Sequence, residues 1–188
     1  MSVARSRRIV AAAGRRIDKP ETTEPDFPSA REREVADRTR AELAALGAAY
    51  LIASAASGAD IIVLEAARAL GVPYEIVLPF AIERFKRESV EDQGKTWASR
   101  FDDVWRHADS TVVIEEQRHP AWDAYSTVNA VILEHGNLKS PSPAAVSRTA
   151  LLLWSGKRRT GIDYTADFRD QALAAGWSVR EILTTSRE

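Results

Sequence analysis

The chain contains no cysteine and only three histidines among its 188 residues. Without cysteine there is no disulfide framework and no thiolate nucleophile. The histidines, His107, His119 and His135, do not have the spacing of a zinc site. We therefore expect neither a metal nor a cofactor.

Long apolar runs and net charge are also missing. No stretch approaches the roughly 18 apolar residues that a membrane span needs, and the formal net charge of −1 provides no positive field for nucleic acid or an anionic membrane surface. The start, "MSVARSRRIVAAAG", is basic and then apolar, but its apolar run is too short for a secretory signal. We expect a cytoplasmic protein that does not bind membranes or, on this charge balance, nucleic acid.

What remains is the composition of an ordinary globular domain. Apolar residues make up 45% of the chain and charged residues 28%, which are common values for a packed protein. A chain of this length suits one domain. We expect a single domain over residues 1–188.

Apolar strand-like runs alternate with helical patterns along the chain. The predicted strands are 8–13, 50–53, 74–78, 110–115, 149–154 and 178–183, and the predicted helices are 29–46, 60–70, 82–89, 97–108, 123–138 and 163–175. Ser29 is the predicted N-cap of the first helix, with Glu32 three residues on, and Gly47 its predicted end. Parallel neighbours need crossover helices. The fold class is therefore α/β, a Rossmann-like three-layer sandwich with a mostly parallel sheet of about five to six strands and helices on both faces.

In such a sheet, ligands bind beyond the carboxyl ends of the strands. After the second predicted strand comes "SAASGAD", where small residues allow close approach of a phosphate and Ser54 and Ser57 add hydroxyl groups. Gly58 and Asp60 complete this turn. The alternative is structural: Asp60 suits the cap or first turn of the next helix, and the small residues suit tight strand-to-helix packing.

Other strand ends also carry candidate ligand-binding residues. Gly14 lets the backbone pass a ligand, Arg15 offers a fork for phosphate or carboxylate, and Asp18 suits a ribose hydroxyl. Pro79 and Phe80 could form an apolar wall for a base, or simply belong to the core.

The turn "SGKRRTG" includes Gly156, Thr160 and Gly161. It lacks the Lys-Ser/Thr ending of a phosphate-binding P-loop, so it is either a phosphate neighbour or a solvated basic turn. The segment before the fifth predicted helix could add Trp122, Tyr125 and Asn129, whereas Asp123 better suits a helix cap.

The ordered set of motifs resembles the SLOG superfamily, a Rossmann-like group that includes the LOG phosphoribohydrolases and the DprA-type and YpsA-type proteins. It resembles most a bacterial branch associated with signalling modules. The segments that carry the resemblance are "AAAGRRID", "SAASGADIIVLEAA", "YEIVLPF", "ERFKRESV", "WASRFDDVW" and "LLLWSGKRRTGIDYTADF". The resemblance implies a nucleotide or nucleotide-derived ligand at these strand ends, and self-association. The glutamate that LOG enzymes use has no counterpart in "WSGKRRTGIDYT".

Three functions follow from these observations. The first is binding or sensing of a nucleotide-derived small molecule. The second is cleavage or transfer of an N-glycosidic bond, which needs a carboxylate beside the ribose; Asp18, Asp60 and Asp163 are available, and Asp60 is the catalytic candidate. The third is a non-catalytic interaction module, which an exposed apolar surface near Trp97, Trp105 and Trp122 would favour.

Overall fold

A six-stranded parallel sheet, with strand order β4-β3-β2-β1-β5-β6, forms the centre of the molecule. The computed structural model describes residues 7–114, 123–139 and 146–186. The strands are β1 (Arg7–Gly14), β2 (Ala48–Ala53), β3 (Tyr74–Leu78), β4 (Ser110–Val113), β5 (Val146–Trp154) and β6 (Ser178–Leu183). The architecture is Rossmann-like and α/β, as predicted.

Helices connect consecutive strands, as parallel neighbours require. They are α1 (Glu32–Leu46), α2 (Ala59–Ala69), α3 (Ile82–Ser89), α4 (Lys95–Arg106), α5 (Ala124–Leu138) and α6 (Tyr164–Ala174). Within the described ranges, none of the helices has both the length and the apolar character needed to cross a membrane.

Every strand except the edge strand β4 contributes side chains to two separate cores, because successive residues of a strand point to opposite faces. In β1, Val10 and Ala12 belong to the core under α1 to α4, whereas Ile9 and Ala11 belong to the core under α5 and α6. The central strands are therefore buried on both faces and have nearly continuous apolar sequences.

The ends of the helices only partly follow the sequence prediction. Gly47 ends α1 in the left-handed conformation (φ 62°), and Asp123 caps α5, accepting hydrogen bonds from the N–H groups of Tyr125 and Ser126. The prediction for Ser29 is wrong. It lies in a 3₁₀ turn before α1, whose cap position makes no side-chain hydrogen bond.

The sheet changes its winding direction at β1. The chain leaves β1 and β2 toward the α1–α4 face, but it leaves β5 toward the α6 face. Connections that diverge in this way leave a crevice at the carboxyl ends of the strands, where open α/β sheets place their ligands.

Gly58, just before α2, provides the first test of the fold. It has φ +106°, and a Cβ there would lie 2.4 Å from the backbone N of Ile17, whereas a Cβ on Gly47, also at positive φ, would meet nothing within 4 Å. We expect Gly47→Ala to cost about 1–2 kcal/mol, and Gly58→Ala to cost roughly 1–3 kcal/mol more because of the overlap. Urea unfolding of both variants measures the difference. Equal losses would contradict the close approach.

Candidate functional site

A cleft of about 270 Å³ opens at the carboxyl ends of β1 and β2. Its walls come from the loop after β1, the turn after β2, the end of α3, the first two turns of α5 and the start of α6. It therefore occupies the crevice created by the diverging connections of β1 and β5. Of the residues predicted to bind a ligand in the turns after β1 and β2, four line it, namely Gly14, Arg15, Ser54 and Asp60, and the candidates Tyr125, Asn129 and Asp163 line it as well.

Arg15 is 3% exposed and binds Asp163 in a bidentate pair across this crevice. Its two terminal nitrogens donate to the two carboxylate oxygens over 2.6 and 2.9 Å, and one also donates to the Lys157 carbonyl over 2.8 Å. The guanidinium lies 5.7 Å from the centre of the Trp154 ring. We predicted Arg15 as a phosphate ligand, but its charge is compensated within the protein.

Asp163 in turn organises the start of α6. Its carboxylate accepts from the N–H groups of Ala166 (3.0 Å) and Arg159 (2.8 Å). Burial by itself would raise the pKa of this carboxyl, but the hydrogen bonds from Arg15 and the two N–H groups hold the pKa well below its usual range. Asp163 is therefore a capping carboxylate that also neutralises Arg15.

Three N–H groups of the turn after β2 donate hydrogen bonds to acceptors within the protein. The Ala56 N–H donates to Oδ2 of Asp60 (3.2 Å), the Ser57 N–H to the Ser89 carbonyl (2.9 Å), and the Ala59 N–H to a main-chain carbonyl in the loop after β1 (3.0 Å). The sequence left a phosphate cradle and a structural turn as alternatives. These contacts favour the structural alternative, because the N–H groups of Ala56, Ser57 and Ala59 already have acceptors.

Asp60 is the most perturbed acid of the cleft. It is 8% exposed, and burial raises its pKa to about 7, although the N–H groups of Ala56 and Gly14 and the charge of Arg16 act in the opposite direction. A carboxyl group with this pKa exchanges its proton near neutral pH, as general acid–base catalysis requires.

Arg16, which was not among the predicted site residues, lines the cleft beside Arg15. Its guanidinium donates to Oγ of Ser57 over 3.3 and 3.4 Å and forms an ion pair with Asp92. Ser57 itself is fully buried and lies outside the cleft lining, so its hydroxyl positions an arginine instead of facing a ligand.

Two tyrosines form an aromatic wall. The rings of Tyr125 and Tyr164 lie 5.0 Å apart, and the Tyr125 hydroxyl is 3.3 Å from Oγ of Ser89. Tyr125 and Asn129 lie one turn apart on α5 and both line the cleft, as the sequence suggested. The sequence analysis did not predict Tyr164 as a site residue. Its position directly after Asp163, which caps α6, was the sequence feature that could have indicated it.

Asn129 has a well-defined orientation. Its amide nitrogen donates to the Tyr164 carbonyl and to Oδ2 of Asp167, each over 2.8 Å. Since both partners are acceptors, the nitrogen must face them. The side-chain carbonyl oxygen is then the atom left to accept a hydrogen bond from a ligand.

The other predicted ligand-binding residues lie outside the cleft lining. They are Asp18, Ser57, Gly58, Pro79, Phe80, Gly156, Thr160 and Gly161. Asp18 accepts from the Phe27 N–H (2.6 Å) within the loop, and burial raises its pKa. Phe80 is buried, with its ring edge-on to Tyr125 at 6.1 Å. Phe80 thus packs against Tyr125 of the aromatic wall.

The basic turn after β5 is exposed and its arginines are paired. Arg158 pairs with Asp170, and Arg159 with Asp26. Gly156, Thr160 and Gly161 are exposed. Of this turn, only Arg159 reaches the cleft, and this arrangement fits the solvated alternative better than a phosphate loop.

The tryptophan surface considered for an interaction module is not apparent in the described residues. Trp97 is 7% exposed and covered by the Arg100 guanidinium at 3.9 Å. Trp105 is half-buried and stacks on Phe101 with ring centres 5.8 Å apart. Trp122 lies outside the described residues.

Comparisons with known proteins add little to this geometry. No protein-family model matches the chain, and no curated protein matches it. The X-ray structure of TM1055, a Northeast Structural Genomics Consortium target, is similar over 92% of this chain and 72% of that chain, with 14% sequence identity and a TM-score of 0.47. We base no functional argument on a similarity of this size.

In the part of the chain that the structure describes, no group of three or more His, Cys, Asp or Glu is arranged to hold a metal.

The Arg15–Asp163 pair makes a prediction about stability. Asp163→Asn leaves a buried guanidinium uncompensated, which typically costs about 3–5 kcal/mol, whereas Asp170→Asn, in the exposed pair with Arg158, should leave the unfolding midpoint close to wild type. Because the pKa of Asp163 is lowered by folding, its contribution is present above the unfolded pKa. The deficit of Asp163→Asn should therefore shrink below about pH 4. Urea unfolding at several pH values measures both effects, and a midpoint shift no larger than that of Asp170→Asn would contradict the role of the pair.

For Asp60 we expect the opposite dependence of the free energy of unfolding on pH. Its folded-state pKa of about 7 lies above the unfolded value, so the folded state holds the proton more tightly. Between about pH 4 and 7 this group then lowers stability as pH rises, by up to about 1.4 kcal/mol per pH unit. We expect Asp60→Asn, which has no charge to bury, to gain on the wild type progressively from pH 5 to 8. Urea unfolding profiles of the two proteins that stay parallel over this range would refute the assignment.

Proposed function

We propose that the chain binds a nucleotide-derived small molecule in the cleft at the carboxyl ends of β1 and β2. The observation that carries this proposal is the position of the cleft at the point where the β1 and β5 connections diverge. Open α/β sheets use this position for ligands, because two loops leave it in opposite directions and keep it accessible.

The chemistry of the walls supports the same ligand class. The rings of Tyr125 and Tyr164 offer aromatic surface to a planar base. Asn129 and Asp60 supply hydrogen-bonding groups at 6% and 8% exposure. A mostly apolar pocket with a few placed polar groups is the usual form of a small-molecule site.

The resemblance to the SLOG superfamily indicates the same edge of the sheet. Of the residues it suggested, Gly14, Arg15, Ser54 and Asp60 line the cleft. A role in bacterial signalling and self-association remain predictions of that resemblance. Multi-angle light scattering of the purified chain tests the second.

The rival proposal is an enzyme that cleaves or transfers an N-glycosidic bond, and one observation favours it. Asp60 lines the cleft with a pKa raised to about 7 by burial. Such a group can protonate a departing base or, when ionised, stabilise positive charge on the ribose. Incubation with nucleosides and nucleoside monophosphates, followed by chromatography for free base, tests this activity. Release that is lost in Asp60→Asn supports it, and no release excludes it for those substrates.

The aromatic wall allows a matched test of binding. Isothermal titration against nucleosides, nucleotides, ADP-ribose species and cyclic nucleotides should reveal at least one ligand. Tyr125→Ala should then weaken its binding by about tenfold or more, since aromatic stacking on a base is worth about 1–3 kcal/mol. Tyr125→Phe keeps the ring and should bind nearly as the wild type does. Absence of binding at millimolar concentration across the panel would refute the proposed function.

A further inference from the structure

We propose that the ligand of the cleft is an uncharged nucleoside, held without any requirement for a phosphate. This inference rests on the proposed function and narrows it. It follows from the way the protein itself occupies the groups that would otherwise bind a phosphate.

The first such group is Arg15. A buried arginine at a strand end is a natural phosphate ligand, because its planar fork matches an oxyanion. Here both ends of the fork bind Asp163, and the pair is almost completely buried. A phosphate could take the place of Asp163 only by displacing a carboxylate that also caps α6. The remaining donor of Arg15, Nε, has no hydrogen-bond partner within the described part of the chain but is buried.

The second group is the turn after β2, ahead of α2. Oδ2 of Asp60 accepts a hydrogen bond from the Ala56 N–H. A hydrogen bond from the Gly14 N–H to the same carboxyl group also acts to lower its pKa. The carboxyl of Asp60 thus takes the place that a bound anion would have beside these donors. When ionised, it also repels a second anion in the cleft.

The remaining cations of the lining are compensated as well. Arg16 pairs with Asp92, and Arg159 pairs with Asp26. Among the described residues that line the cleft, every arginine therefore has a carboxylate partner. Arg16 and Arg159 are more exposed, with 39% and 49% of their side-chain surface accessible, and such exposed pairs are weak. A phosphate bound there would share its arginine with a carboxylate, which lowers the affinity gained from the contact.

The groups that stay available suit a neutral, hydrogen-bonding ring system. Asp60 can accept from ribose hydroxyls or base amino groups, Asn129 keeps a side-chain carbonyl, and Tyr125 and Tyr164 present aromatic surface. The volume of about 270 Å³ lies just below the usual range of ligand sites, which is roughly 300–1,000 Å³. A nucleoside fits this scale better than a dinucleotide.

Titration calorimetry of the wild-type chain tests the inference with four ribonucleosides, their 5′-monophosphates and inorganic phosphate. We expect the best nucleoside to bind at least as tightly as its monophosphate, and inorganic phosphate not to compete with it. A monophosphate that binds about tenfold tighter or more, equivalent to about 1.4 kcal/mol, overturns the inference but leaves the proposed function intact. If neither class binds, the inference fails, and the proposed function fails with it unless an ADP-ribose species or a cyclic nucleotide binds.

Asp60→Asn provides a second readout whose sign is diagnostic. At about pH 8, where Asp60 is mostly ionised, removing the carboxylate charge takes away the repulsion, so the affinity for a monophosphate should rise relative to that for its nucleoside, by about threefold or more. Asp170→Asn, which removes a carboxylate that does not line the cleft, should leave this ratio unchanged. A ratio that stays constant or falls in Asp60→Asn contradicts the exclusion of phosphate by Asp60. Circular dichroism confirms that both variants are folded.

Discussion

The buried pair between Arg15 and Asp163 joins the two halves of the sheet where its winding direction changes. One partner follows β1 and the other begins α6 after β5, so the pair bridges residues that are 148 apart in the chain. It determines where α6 starts and how the loop after β1 turns, and thereby shapes one wall of the cleft. A charge pair so completely removed from water contributes more to the positioning of these elements than to net stability, since burial itself is costly.

A common physical theme runs through the site: carboxylates of the chain lie where a Rossmann-like fold would bind an anion. Asp163 caps α6 and Asp60 occupies the turn after β2. The two acids nevertheless respond in opposite ways to similar burial. Asp163 has a guanidinium against it and keeps a low pKa, whereas Asp60 has mainly main-chain N–H donors and a more distant arginine, and its pKa rises to about 7. The first is a fixed charge, and the second is a group that can change protonation state near neutrality.

Much of the fold could be predicted from the chain alone because its signals are local. The strand Tyr74–Leu78 and the helix Ile82–Ser89 are as predicted, Asp123 caps α5, and Gly47 ends α1. The prediction that Ser29 caps the first helix rested on a pattern that fits a capping box. In the structure, a 3₁₀ turn precedes the helix, which therefore starts at Glu32. Tyr125 and Asn129 were recognisable as neighbours one helical turn apart. Tyr164, by contrast, becomes an aromatic partner only when α6 packs beside α5.

Local patterns in the chain predict the alternation of strands and helices, the parallel sheet and the edge of the sheet at which the cleft lies, because apolar periodicity and turn chemistry act over a few residues. What the candidate residues contact there depends on the tertiary structure. Arg15, Ser57 and Asp60 have side chains that suit an anion site, but each has a partner distant in sequence or in the turn itself: Asp163, Arg16 and the Ala56 N–H. Hydrogen bonds and ion pairs depend on positions in space, so a pattern of residue types indicates the available chemistry without showing which groups remain free for a ligand.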